Sequence, residues 1–137
     1  MKKAILCVTS IFVFSMFVFA AKPPVKVAKA FEAKFPEATN VKWGKENSKE
    51  WEAGFTVNGV KMSANFLTTG DWVETESEIG IADLPEPVTA EIMRLHPRGA
   101  ITAAFRIETA KEGTKYEADV KTGKKTVEVI LKADGTK

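Results

Sequence analysis

Residues 24–36 read PVKVAKAFEAKFP, residues 51–55 WEAGF and residues 69–72 TGDW, and the stretch they span, Pro24 to Trp72, has a second copy downstream. At an offset of 61, Pro85 falls under Pro24, Val88 under Val27, Ile92 under Phe31 and Pro97 under Pro36. At an offset of 65, Tyr116-Glu117-Ala118 falls under Trp51-Glu52-Ala53, and Gly135 under Gly70. The four-residue difference is a loop insertion between the two blocks. Self-similarity of this kind predicts one helix-then-strands unit used twice.

Within the first copy, Val27, Ala30, Phe31 and Phe35 make one apolar stripe with Lys26, Lys29, Glu32 and Lys34 between them. That spacing predicts a helix of about three turns. Pro24 suits its start, and Pro36 stops it by forcing the preceding residue out of the helical region. A helix so short needs a surface to lie on. The strands that follow supply it. Trp51, Ala53, Phe55 and Val57 alternate with Glu52, Gly54 and Thr56. Asn58-Gly59 predicts a tight hairpin, and the returning strand sets Met62, Ala64 and Phe66 against Lys61, Ser63 and Asn65. Thr69-Gly70-Asp71 turns into Trp72–Glu76. In the second copy a helix over about 85–96 carries Val88, Ile92 and Leu95, and strands follow at about 101–110, 114–121 and 125–132. The fold class is α+β: two tandem modules, each a short helix packed on an antiparallel β-meander, over residues 21–78 and 79–137. Residues 77–84 join them, with Ile79 and Ile81 packing.

The N-terminus is set apart. Lys2-Lys3 precedes an apolar run from Ala4 to Ala21, and Val18 and Ala20 suit a cleavage site. Residues 1–20 read as a secretory signal peptide cut after Ala20, which places the mature protein in the periplasm or outside the cell. The single cysteine, Cys7, lies in this leader, so disulfides, thiol catalysis and cysteine-ligated metals are not expected after cleavage. The chain has 20 Lys+Arg and 18 Asp+Glu. Loss of Lys2 and Lys3 leaves 18 against 18, a balance with no pull towards nucleic acid or an anionic membrane.

No catalytic constellation emerges. His96 is the lone histidine and takes the place of Phe35 in the repeat, a helix end. Glu74, Glu76 and Glu78 alternate along one strand without the spacing of a calcium-binding loop, and read as the solvated face of an edge strand. No enzyme activity, cofactor or metal is therefore expected. What remains is surface. If both helices cover one side of the sheet, the other presents Glu52, Thr56, Lys61, Ser63 and Asn65 from the first copy, and Glu117, Asp119, Lys121, Glu128 and Ile130 from the second. Trp43 and Trp72 are candidate aromatic contacts on that side. The residues expected to bind a partner are Trp43, Glu52, Thr56, Ser63, Asn65, Trp72, Glu117 and Glu128.

The runs Val27–Pro36, Val41-Lys42-Trp43, Trp51–Phe55, Ser63–Phe66 and Gly70–Glu76 resemble the PepSY-like family of β-lactamase-inhibitor-like proteins. Leu84-Pro85, His96-Pro97 and Tyr116–Val120 extend the resemblance through the second copy. It implies tandem helix-plus-sheet modules, export to the periplasm and a non-enzymatic binding or inhibitory role. The expected function is engagement of a protein or peptide through the open sheet face. The alternative is a carrier of a small apolar ligand, or an envelope-stress protein, with a cavity lined by Phe31, Phe55, Phe66 and Ile92.

Overall fold

In the computed structural model, which describes residues 21–137, both helices begin at a proline and stop before one. The expected leader and its cut lie outside the described residues. Helix α1 is Val25–Lys34 and helix α2 is Glu86–Leu95. Pro24 and Pro85 take nearly the same backbone angles, φ −56° and ψ 149° against φ −56° and ψ 140°. At the other ends Phe35 and His96 also match, at φ −128°, ψ 64° and φ −131°, ψ 68°. Their backbone N–H groups donate to the Phe31 and Ile92 carbonyls, each at 2.8 Å. His96 is half-buried at that helix end.

The strands are β1 (Thr39–Lys45), β2 (Glu50–Val57), β3 (Val60–Leu67), β4 (Trp72–Ile79), β5 (Ala100–Thr109), β6 (Gly113–Thr122) and β7 (Lys125–Lys132). Asn58 and Gly59, at φ 49° and 83°, close the β2–β3 hairpin as their sequence predicts. Among the described residues the strands form one seven-stranded antiparallel sheet in sequence order. The two expected meanders are thus joined edge to edge in one sheet. Strand β4 pairs with β3 on one side and β5 on the other, so the expected boundary between residues 78 and 79 falls inside a strand. Of the two joining isoleucines, Ile79 packs and ends β4, whereas Ile81 is 45% exposed.

Both helices lie on the same side of this sheet, over two separate apolar clusters. Val27 and Phe31 of α1 meet Trp51, Ala53, Phe55, Ala64 and Phe66. Val88 and Ile92 of α2 meet Ala104, Ala118, Val120, Val129 and Leu131. The clusters stay apart because β4 and β5 are polar on that side where they meet. Thr75 stands opposite Glu108 there, and Ser77 opposite Arg106. The apolar cavity expected between helices and sheet is not what these residues form. Phe31 packs edge-on against Phe55 at 5.0 Å and Phe66 at 6.2 Å, and Ile92 sits in the other cluster.

Each helix is braced by a glycine turn. A Cβ on Gly70 (φ +95°) would come within 3.2 Å of the Lys26 carbonyl oxygen, and one on Gly135 (φ +84°) within 2.7 Å of the Pro87 carbonyl oxygen. A helix backbone carbonyl cannot give way cheaply, and the positive φ of each glycine already disfavours a Cβ. Gly135→Ala is expected to cost about 2–3 kcal/mol and Gly70→Ala about 1–2 kcal/mol, in that order, measured by urea denaturation. Equal or negligible losses would contradict this bracing.

Candidate functional site: the acid-lined open sheet face

Strand alternation decides what the uncovered side carries. The core takes Ala53, Ala64, Ala118 and Val129, so the neighbours Glu52, Ser63, Glu117 and Glu128 must point the other way. Register then lays them side by side. Gly54 pairs with Ser63, Ser63 with Glu76 and Glu76 with Ile107. Glu52 pairs with Asn65, and Asn65 with Glu74. Further along, Glu78 pairs with Phe105, Phe105 with Glu117 and Glu117 with Ile130. Asp119 stands directly opposite Glu128. Both helices lie on the far side, yet Glu52, Ser63, Asn65, Glu76 and Glu117 are all buried. Neighbouring side chains on the face shield them. Register shifts at Thr39/Lys42, Asn65/Phe66 and Ile101/Ala103 are bulges of the kind that bend a sheet.

Six of the eight candidate residues, Glu52, Thr56, Ser63, Asn65, Glu117 and Glu128, stand on this face. Trp43 and Trp72 do not. Trp43 pairs with Ala53 and therefore faces α1, with its ring 5.2 Å from Phe31. Trp72 pairs with Phe66 across a bulge, donates from Nε1 to Thr75 Oγ1 at 2.9 Å, and lies 3.9 Å under the Lys34 ammonium. Both are partly buried core residues.

The structure adds residues that pattern reading had assigned elsewhere. Strand β4 is the middle strand of the sheet, not an edge, so Glu74 and Glu76 are interior to the face instead of solvated at its rim. Phe105 and Ile107 of β5 bring apolar surface into its centre. Lys61, Met62, Ser63, Glu76, Glu78 and Phe105 line a shallow cavity of about 190 Å³.

The electrostatics follow from crowding like charges in a sheltered place. Burial, and then the charges of Glu76, Glu128, Asp119 and Glu74, push the Glu117 carboxyl up to about 8. Burial, followed by Glu74, Glu52, Glu128 and Asp119, pushes Glu76 up to about 7. Glu52 is also raised, by burial and then by Glu46 and Glu74, while a Ser63 hydrogen bond pulls the other way. Glu74 is raised by burial and Glu50, with Lys115 opposing. Burial raises Asp119. Among the described residues one buried oxygen on this face, Glu117 Oε2, has no hydrogen-bond partner. Carboxylates held near neutrality beside apolar side chains suit recognition of a cation or a basic group.

Solved structures share this architecture. A BLIP-like protein from Bacteroides fragilis aligns at 23% identity and TM-score 0.71, over 85% of this chain and 83% of that one. A DUF2874 family protein from Bacteroides ovatus aligns at 19% identity and TM-score 0.74, over 85% and 84%. A Bacteroides eggerthii structure described as "putative periplasmic proteins" aligns at 15% identity and TM-score 0.76, over 85% and 86%. At these identities the likeness is one of fold. A search of the curated proteins finds no match. The family model described as "Putative beta-lactamase-inhibitor-like, PepSY-like" matches residues 49–136, from the start of β2 through the last turn. The chain belongs to this PepSY-like, beta-lactamase-inhibitor-like family.

Proposed function

We propose that this protein is a non-enzymatic binding or inhibitor-like module that engages a protein or peptide through the open face of its sheet, after export to the periplasm or beyond. The observation that carries the reading is the face itself. It is uncovered by either helix, rich in carboxylates at Glu52, Glu74, Glu76, Glu117, Asp119 and Glu128, and apolar at Phe105, Ile107 and Ile130. A partner segment with basic and apolar side chains would meet both features. The matched geometry at Pro24 and Pro85, at Phe35 and His96, and at Gly70 and Gly135 supports a doubled helix-and-strand unit behind this broad surface. Export rests on the leader, and the inhibitor-like role on the family. The apolar-carrier alternative has less support, because the rings that would line its cavity fill the space between them.

The test is direct. Immobilised protein should retain a partner from periplasmic extract saturably, and Phe105→Ala and Ile130→Ala should each weaken capture about tenfold or more, as truncation of a central interface residue does. Glu32→Ala, on the outer side of α1, should leave capture unchanged. The reading fails if nothing binds saturably, or if the α1 variant loses binding while the sheet variants keep it.

A further inference from the structure

We propose that Glu117, Asp119 and Glu128 form a binding site for a divalent calcium ion on the β6–β7 end of the open face. Three observations converge on it. One carboxylate oxygen from each residue lies within 4.8 Å of the others. An ion with oxygen bonds of about 2.3–2.6 Å can draw such a triangle together by small side-chain rotations. Glu117 is 3% exposed, and its Oε2 has no hydrogen-bond partner among the described residues. A buried, unpaired carboxylate oxygen beside two more carboxylates is an arrangement a cation completes. Finally, the antiparallel register sets Asp119 directly opposite Glu128, so the third carboxylate is delivered to the triangle across the β6–β7 hairpin.

The chemistry selects the ion class. All three side chains offer oxygen, which suits a hard cation and disfavours softer metals that seek nitrogen or sulfur. Asp119 and Glu128 are only partly buried, so water can complete the coordination shell. The charges acting most on Glu117 are the four acids Glu76, Glu128, Asp119 and Glu74. Lys115, on the same face, acts on Glu74 and is paired with Glu112. Because carboxyls must lose their protons to ligate, affinity should rise with pH from 6 to 8.5. The site does not depend on a protein partner occupying the face.

Calcium alone is the probe. At pH 8.5, 5 mM Ca²⁺ should raise the Tm of the metal-stripped chain by about 5 °C, as expected for a site with a Kd on the order of 10⁻⁴–10⁻³ M. Excess EDTA should reverse the shift. The isosteric variants Glu117→Gln and Asp119→Asn should abolish it with the circular dichroism spectrum preserved, and Glu108→Gln on the helix side should keep it. The inference is overturned if calcium gives no saturable shift at pH 8.5, or if the shift survives in both isosteric variants.

Discussion

Phe31→Ala is expected to lower stability by about 3–5 kcal/mol and Tm by about 12–20 °C, with Ile92→Ala close behind at about 2–5 kcal/mol. Phe31 is 4% exposed and touches the rings of Phe35, Trp43, Phe55 and Phe66, so its removal leaves a hole that rigid neighbours cannot refill. Ile92 is fully buried under α2. These two side chains sit in two clusters that share no buried residue. The sheet nevertheless runs unbroken through β4. Calorimetry should therefore show one cooperative transition that moves down in either variant. Two transitions, with each variant shifting only one, would mean that the halves unfold independently and that β4 does not couple them.

The second large effect concerns pH. An ordinary glutamate titrates near 4.5, whereas the Glu117 carboxyl is pushed up to about 8 and Glu76 to about 7. Between those values the native chain holds protons that the unfolded chain has released. Stability is thus fully present below about pH 4.5 and is lost as pH rises through 7 to 8. With chelator present, the chain should be less stable at pH 8.5 than at pH 5 by on the order of 3 kcal/mol. That is opposite in sign to the acid lability of proteins whose carboxylates are salt-bridged. Glu117→Gln should flatten most of this slope and exceed the parent in stability at pH 8.5. A urea midpoint that climbs with pH in the parent chain would contradict the arrangement of acids described above.

Much of the architecture was legible because its signals are local. Prolines at 24, 36, 85 and 97 bracket the helices, and alternation from Trp51 to Phe66 orients two strands without knowledge of the fold. The placement of Glu52, Thr56, Ser63 and Asn65 follows from that alternation, and that of Glu117 and Glu128 from the same pattern in β6 and β7. What was misread depended on distant pairing. Glu74 and Glu76 look like an exposed rim, as Glu78 is, until β5 docks beside them, and that contact closes only after η1 (Ile81–Asp83) and α2 have intervened. Strand β5 itself reads Ala103-Ala104-Phe105-Arg106-Ile107, where small residues blur the alternation that would assign Phe105 and Ile107 to a side. Trp43 faces α1, not the open side, because β1 pairs it with Ala53, a register that the short run Val41-Lys42-Trp43 does not reveal by itself. The Glu117–Asp119–Glu128 triangle has no linear motif, since its third member arrives across the β6–β7 hairpin.

The claim that most of the account shares is that the uncovered face shelters its acids from water. Carbon-13 NMR of the side-chain carboxyls, followed from pH 3 to pH 10 in the metal-free chain, reads this one residue at a time. Glu117 should titrate near 8 and Glu76 near 7, well above Glu91 and Glu112, whose partners Arg94 and Lys115 hold them low. If Glu117 and Glu76 instead titrate near 4.5 with the surface glutamates, the face is open to solvent and the binding, calcium and pH predictions lose their common basis.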